Sequence, residues 1–295
     1  MLRLEALAEL AARDPVALAA RVATFDLGGH RFDGNVKPAI MGVVNLSADS
    51  WYRESVCLSA EAAIQRGLVL TAQGADLVDV GAESSLAHAA RVDDLAQNSA
   101  LLPVVRELAA AGVAVSVETY HPSVTRACLA AGARVLNLTG NDRSEEMFRL
   151  VAEHQAGVIL CYVQGANVRE VADFDFGADP VALMYEQFAR QIEVAARAGV
   201  TRMWLDPGLG FYYRNLQDSS VRIRHQMNVF LNSFRLRKLG WPVCHALPHA
   251  FECFGDEVRS AEAFFAVLAA LGRTDLFRTH EVPRVRAVLR TLALA

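Results

Sequence analysis

The feature that most constrains the fold is an alternation of short apolar runs with longer amphipathic stretches. The apolar runs, which predict β-strands, cover residues 40–45, 77–81, 114–118, 135–138, 157–162, 203–206, 242–247 and 276–279. The amphipathic stretches predict helices over residues 59–73, 93–111, 122–131, 144–154, 179–198, 219–239, 258–271 and 283–292. About eight such strand–helix units in roughly 250 residues predict a (β/α)8 TIM barrel. The rival, a doubly wound open sheet, usually carries a G-x-G-x-x-G turn after its first strand, and the sequence has none there.

The segment before the first barrel strand predicts two additional features. Apolar residues recur at broadly helical spacing in residues 4–22, with a break near Asp14 and Pro15, so we expect one or two short helices. Residues 25–32 carry a Gly28-Gly29 turn between two short strands, a hairpin that could close one end of the barrel. The sequence therefore divides into an N-terminal helical extension, residues 1–23, and the barrel, residues 24–295.

Composition narrows the possible partners. The 295 residues are 53% hydrophobic and carry a formal net charge of -4, which gives no electrostatic basis for binding nucleic acid or an anionic membrane.

No window of the sequence reaches the roughly 18 uncharged apolar residues of a membrane span, and the start lacks a signal-peptide core. The five cysteines include no C-x-x-C pair, so we expect buried, reduced thiols. These patterns predict a soluble, cytoplasmic protein.

Polar residues follow each predicted strand, and in a barrel they meet at one mouth. Two amides and two carboxylates in this set suit a flat heterocycle whose edge alternates hydrogen-bond donors and acceptors. Two further side chains, on the last strand, are two residues apart and point to the same side, where they could hold a phosphate-like anion. The amides are Asn45 and Asn137, the carboxylates Glu118 and Asp206, and the last-strand pair Arg278 and His280.

Five fragments, in order and at matching spacing, resemble motifs of the dihydropteroate synthase family. They are IMGVVNLSADSW (40–51), GADLVDVGAESS (74–85), VSVETYHP (115–122), LDPGLGF (205–211) and RTHEV (278–282). The resemblance runs from about residue 25 to the C-terminus. It implies a pterin-binding TIM barrel and a transferase that joins 6-hydroxymethyl-7,8-dihydropterin diphosphate to an arylamine. The arylamine would be 4-aminobenzoate or a bulkier analogue, diphosphate would leave, and the product would serve folate or methanopterin-type cofactor biosynthesis.

The resemblance also implies residue roles. Asn45 would hold the diphosphate and its Mg²⁺ ion, and Arg278 with His280 would bind the leaving diphosphate. The pterin edge would be bound by Glu118, Asn137 and Asp206. His249 stands where the family has a lysine that contacts the pterin and the second substrate, and Asp49, in the loop after the first strand, joins the candidate catalytic residues. The family also implies a homodimer formed through the late barrel helices.

The chain departs from the family's motifs in four places. The first loop, residues 45–51, lacks the proline of NVTPDSF, and the second, residues 83–88, lacks the arginine and proline that shape the arylamine site. Glu118 replaces an aspartate. The SRKSF motif is replaced by residues 247–251, with His249 at the lysine position.

These departures leave two alternatives beside the transferase. One is a non-catalytic pterin-binding homologue that acts as a regulatory or partner subunit, and the other is a folate-dependent methyltransferase on the same barrel. The retention of Asn45 and of Arg278-x-His280 favours the transferase, because a protein that only binds pterin needs neither.

Overall fold

A computed structural model of the chain describes residues 2–50, 52–84, 89–211 and 213–294. Its strands are β1 (Phe25–Leu27), β2 (His30–Phe32), β3 (Ala39–Asn45), β4 (Leu77–Gly81), β5 (Val115–Thr119), β6 (Val135–Leu138), β7 (Gly157–Cys161), β8 (Met203–Asp206), β9 (Cys244–Ala246) and β10 (Leu276–Thr279). Its α-helices are α1 (Leu4–Arg13), α2 (Pro15–Ala19), α3 (Ala60–Gln73), α4 (Asp94–Ala110), α5 (Pro122–Ala130), α6 (Ser144–Glu153), α7 (Pro180–Arg197), α8 (Ser219–Asn232), α9 (Phe251–Phe254), α10 (Ala261–Leu271) and α11 (Val282–Leu292).

The strands β3 to β10 form one parallel sheet that curves into a barrel. Each strand from β3 to β7 pairs with the next one in sequence, and β10 pairs with both β9 and β3. The remaining gap, between β8 and β9, is bridged where Leu205 N donates to Pro242 O at 2.9 Å. The helices between the strands cover the outside, so the predicted (β/α)8 TIM barrel is confirmed.

Two predicted elements are shorter than expected, and each has a side-chain hydrogen bond at one end. The seventh barrel strand, predicted over residues 242–247, is limited to Cys244–Ala246, and just before it Val243 N donates to the Asp275 carboxylate at 2.8 Å. The helix predicted over residues 219–239 ends at Asn232 and continues as a 3₁₀ helix, Ser233–Leu239. At this change Ser233 Oγ donates to backbone carbonyls of the preceding turn.

The predicted hairpin forms and closes the amino-terminal end of the barrel. Gly28 and Gly29 have φ angles of 57° and 85°, which most residues with a side chain adopt only with strain. Phe25 and Phe32 pack edge-on against the ring of Trp204, with centroid distances of 4.7 and 5.2 Å. These rings join the apolar residues that begin several barrel strands. Among the described residues, the hairpin therefore covers the amino-terminal end and leaves the opposite, carboxyl-terminal end for a ligand.

The helices that precede the hairpin are bound to the same amino-terminal end. Arg237, 1% exposed, forms an ion pair with Asp275 and contacts Ala20 O at 3.4 Å. Lys238 Nζ lies 2.6 Å from Asp14, the residue that caps α2. Within the described ranges, no helix has the length and apolar character needed to cross a membrane.

Candidate active site

The carboxyl ends of the barrel strands surround a cavity of about 320 Å³. Every candidate residue from the sequence except one lies in its wall: Asn45, Glu118, Asn137, Asp206, His249, Arg278 and His280. Tyr52, Leu209 and Phe211 add apolar and aromatic surface. A cavity of this size and mixed lining is typical of a site for a small polar molecule.

One part of the cavity wall is a charged network around Arg278. Its guanidinium donates from Nε to Asp79 Oδ2 at 2.8 Å and from Nη2 to Glu118 Oε2 at 2.6 Å. Asp79 is fully buried in the middle of β4, where Ser116 Oγ and Asn137 Nδ2 also donate to it, at 2.6 and 3.0 Å. A fixed cation between two carboxylates orients both of them.

The other two residues predicted to bind the pterin edge, Asn137 and Asp206, are also held in fixed orientations. Asn137 accepts a hydrogen bond from Cys161 Sγ at 3.2 Å while its amide donates to Asp79, so both ends of the carboxamide are defined. Asp206 ends β8, and its Oδ1 accepts from Gly208 N at 2.8 Å in the turn that follows. Both side chains are about 3% exposed, so the cavity wall is rigid as well as polar.

Burial changes the acidity of the two cavity carboxyls. Removal from water raises the pKa of Glu118 to about 7, although Arg278 acts in the opposite direction. Burial likewise raises the pKa of Asp206 to about 6, against the hydrogen bond from Gly208. Burial alone would lower the pKa of Arg278, but attraction by the carboxylates of Asp79 and Glu118 outweighs it, and the pKa is raised above its usual value. The site can therefore hold or release a proton near neutral pH.

The two candidates from the first loop lie in different environments. Asn45 ends β3 in the cavity wall, and its Nδ2 donates to Ser55 Oγ at 2.6 Å. Asp49 is exposed and does not line the cavity; its Oδ2 accepts from Ala90 N at 3.1 Å. The structure thus brings Asn45 to the site but leaves Asp49 at the rim.

A second polar cluster lies in the wall, beside Tyr52. The Tyr52 ring stacks against His249 and His280, with centroid distances of 5.0 and 4.6 Å. His280 Nδ1 lies 2.7 Å from Oε1 of Glu262, a fully buried carboxylate on α10. Burial lowers the pKa of His249 to about 4. Burial alone would raise the pKa of Glu262, but the neighbouring His280 ring outweighs it and the pKa is lowered.

Sequence reasoning missed three residues of the site: Asp79, Glu262 and Tyr52. Asp79 and Glu262 each occur as a single acid inside an otherwise apolar element, and a buried acid of this kind usually has a partner. That pattern could have identified both. Tyr52 lies in a loop without periodicity, and no local signal predicts its position. Trp51, residues 85–88 and Tyr212, on which parts of the motif comparison depend, lie outside the described residues.

The fold and the site define a (β/α)8-barrel protein with a polar, partly anionic ligand cavity at the carboxyl ends of its strands. A sequence model of the family described as pterin binding enzyme matches residues 41–247. The chain belongs to this family of pterin-binding enzymes.

Individual relatives agree with the family assignment. The chain is 35% identical to a dihydropteroate synthase of Mycobacterium leprae over 175 residues, which cover 58% of this chain and 62% of the relative, less than two thirds of its length. It is 29% identical to a type-2 dihydropteroate synthase of Escherichia coli, with 86% of this chain and 94% of the relative covered.

Solved structures agree as well. The dihydropteroate synthase of Xanthomonas albilineans with 4-aminobenzoic acid superposes with a TM-score of 0.76 at 28% identity, covering 92% of this chain and 97% of that one. The same enzyme in complex with 7,8-dihydropteroate gives a TM-score of 0.71 at 26% identity and the same coverage.

Proposed function

We propose that the chain is a dihydropteroate synthase-like transferase. It would join 6-hydroxymethyl-7,8-dihydropterin diphosphate to an arylamine, with loss of diphosphate, in folate or methanopterin-type cofactor synthesis. The observation that carries this proposal is the convergence of Glu118, Asn137, Asp206 and the Asp79–Arg278 pair on one cavity. Relatives named dihydropteroate synthase, one of them bound to 7,8-dihydropteroate, support the same reaction.

The pterin would lie beside the charged network in the cavity wall. Its ring N–H and amino groups are donors that a carboxylate can accept as a pair, which is the role of Asp206 and Glu118. Asn137 can donate and accept, so it suits the part of the edge where these two functions alternate. Glu118 is one methylene longer than the family's aspartate, and in this chain its carboxylate accepts a hydrogen bond from Arg278.

The diphosphate would bind above the pterin, near Asn45 and His280. Mg²⁺ keeps most of its water and takes one or two protein oxygens together with phosphate oxygens. Asn45 meets this requirement, because Ser55 accepts from its Nδ2 and leaves the carboxamide oxygen for the cation. When bound, Mg²⁺ would offset charge on the diphosphate. His280, held by Glu262, would orient the leaving group with Arg278 nearby.

The chemical step is a substitution at the pterin methylene carbon. The arylamine nitrogen forms a bond to this carbon, the carbon–oxygen bond to diphosphate breaks with its electron pair, and the amine loses one proton to solvent or to the departing diphosphate. The cavity carboxylates stabilise the positive charge that develops on the pterin methylene. Asp49, exposed at the rim, would act only if the first loop closed over the substrates.

The arylamine end carries the largest departures from the family. His249, at the position of a lysine, is a neutral imidazole at pH 7 because of its burial, so it can donate one hydrogen bond but supplies no permanent charge. The acceptor would therefore be 4-aminobenzoate or a bulkier arylamine that does not need a cation at this point.

Three further features belong to the proposal. A homodimer is supported by exposed apolar side chains on the late helices, namely Phe264 and Leu271 on α10 and Leu292 on α11. A cytoplasmic location is supported by the five free cysteines. The division into an extension of residues 1–23 and a pterin-binding barrel of residues 24–295 is supported by the position of α1 and α2 outside the strand–helix alternation.

Calorimetric titration with the dihydropterin diphosphate and Mg²⁺, beside the corresponding pterin alcohol, tests this function. We expect both ligands to bind, with the diphosphate bound more tightly and only its affinity dependent on Mg²⁺. If the pterin alcohol binds and the pterin diphosphate with Mg²⁺ binds no more tightly, the non-catalytic pterin-binding homologue is favoured. The absence of binding by either ligand would refute the pterin site.

A further inference from the structure

The cluster of His249, Glu262 and His280 has the composition of a metal site. The three residues come from separate elements: the loop after β9, helix α10 and the loop after β10. Each offers one ligand atom, and these atoms lie within 4.8 Å of one another. Among the residues that the structure describes, no other group of three histidine, cysteine or acidic side chains meets this condition.

The hydrogen bonds of the cluster are incomplete without a further partner. His249 Nδ1 is buried and has no hydrogen bond, and it lies 3.7 Å from Glu262 Oε1, too far for one. His280 Nδ1 approaches the same oxygen at 2.7 Å. Both imidazoles therefore direct a nitrogen at one carboxylate oxygen, and a buried nitrogen without a partner is costly. An ion shared by these three atoms would replace the 2.7 Å contact between His280 and Glu262 and would give His249 Nδ1 the partner it lacks.

The second oxygen of the carboxylate is already occupied. Glu262 Oε2 accepts from Thr279 Oγ1 and from the backbone N–H groups of His280 and Glu281, the latter two at 3.0 and 3.2 Å. These donors fix the carboxylate and leave Oε1 on the side of the two histidines. Outer contacts of this kind orient the ligands of known metal centres.

We propose that His249, Glu262 and His280 bind one divalent transition metal ion, of which Zn²⁺ is the representative. Two imidazoles and one carboxylate suit Zn²⁺, Fe²⁺, Co²⁺ or Mn²⁺, whereas Mg²⁺ prefers oxygen ligands alone. His249 and His280 line the cavity while Glu262 lies behind them, so the open coordination position faces the cavity. This inference is independent of the proposed transferase activity, because it concerns metal binding in the absence of any pterin.

Titration of the metal-stripped, untagged chain with ZnCl2, and separately with MgCl2, tests the proposal. Co²⁺ substitution provides a second measurement, since its visible absorption reports the ligand geometry. The variants are His249→Ala and Glu262→Gln, and His30→Ala, at an exposed position of β2, is the matched control. Circular dichroism verifies that each variant is folded. The His249 side chain is about one-fifth exposed, so its replacement disturbs the fold less than replacement of the fully buried Glu262. If Glu262→Gln unfolds, His249→Ala decides the result.

We expect one Zn²⁺ per chain, bound more tightly than Mg²⁺, and a loss of at least about tenfold in affinity for each ligand variant. The Co²⁺ spectrum should change in His249→Ala and remain unchanged in His30→Ala. The absence of stoichiometric Zn²⁺ binding, or equal affinity of His249→Ala and the wild type, would overturn the proposal.

Discussion

Arg278 donates a 2.6 Å hydrogen bond from Nη2 to Oε2 of Glu118 across the mouth of the barrel, although 160 residues separate the two in sequence. The pair is possible because β10 and β5 belong to the same closed parallel sheet. It links the residue expected to meet the diphosphate with a residue expected to meet the pterin, so a change at either one should affect the binding of both parts of the substrate.

Replacement of Glu118 tests its role in pterin binding. We expect Glu118→Leu to weaken binding of the pterin alcohol by about 2–3 kcal/mol, because Arg278 loses one partner and the pterin loses an acceptor. Glu118→Asp, the residue that the family motif carries, should restore most of the affinity. Calorimetry on both variants measures this, with Glu153→Gln on the outer surface as control. Equal affinity of Glu118→Leu and the wild type would remove Glu118 from the site.

The acidity of Asp206 should make pterin binding dependent on pH. Burial raises its pKa to about 6, so the carboxylate that accepts hydrogen bonds is formed only as pH rises through that value. We expect ionisation of Asp206 to increase the affinity for the pterin alcohol about tenfold between pH 5 and pH 7.5, since one unit below the pKa leaves about one-tenth of the group ionised. Glu118, with a pKa of about 7, ionises in the same interval and adds to the increase. Asp206→Asn should bind weakly and show a shallower pH dependence, centred near pH 7. A profile in Asp206→Asn as steep as that of the wild type would show that Asp206 does not contribute to it.

His245 should weaken the fold in acid. Burial lowers its pKa to about 3, and its Nε2 lies 2.7 Å from Ser233 Oγ. The folded pKa is below the unfolded value of about 6.5, so the stabilisation is present above pH 6.5 and is lost as pH falls. For this shift the free energy of unfolding should fall by about 2 kcal/mol between pH 7 and pH 5.

Urea unfolding of the wild type and of His245→Leu at the two pH values measures this effect. The leucine variant should lose about 2 kcal/mol less than the wild type over the same interval, while His30→Ala, at an exposed position, should behave as the wild type. Parallel pH dependence in His245→Leu and the wild type would show that other groups dominate.

The buried ion pair of Arg237 and Asp275, at the amino-terminal end of the barrel, should contribute to stability rather than to ligand binding. Arg237 and Asp275 are 1% and 4% exposed, and Asp275 also accepts from Val243 N. We expect Arg237→Ala to destabilise the chain by about 3–5 kcal/mol, because it leaves a buried carboxylate without its partner. The exposed pair of Arg31 and Asp26 provides the control, and Arg31→Ala should cost less than about 1 kcal/mol. Thermal unfolding of both variants measures the difference, and similar losses would contradict the assignment.

The sequence predicted the barrel because each strand–helix unit carries its own local pattern, and parallel strands place their carboxyl ends together. That rule located Asn45, Glu118, Asn137, Asp206 and Arg278 at one cavity. It could not identify Asp79, whose importance depends on Arg278, 199 residues away and on a strand two positions along the sheet. Nor could it reveal that Glu262, in an apolar helix, faces two histidines from separate loops.

A product assay with the dihydropterin diphosphate, Mg²⁺ and a series of arylamines that begins with 4-aminobenzoate decides directly whether the chain is a transferase. We expect equal amounts of diphosphate and of the pterin–arylamine conjugate for at least one acceptor. We also expect a loss of turnover of at least about 100-fold in Arg278→Ala, which removes a charged partner worth about 3 kcal/mol. Tight pterin binding without conjugate for any arylamine would contradict the transferase and leave a protein that binds pterin without chemistry.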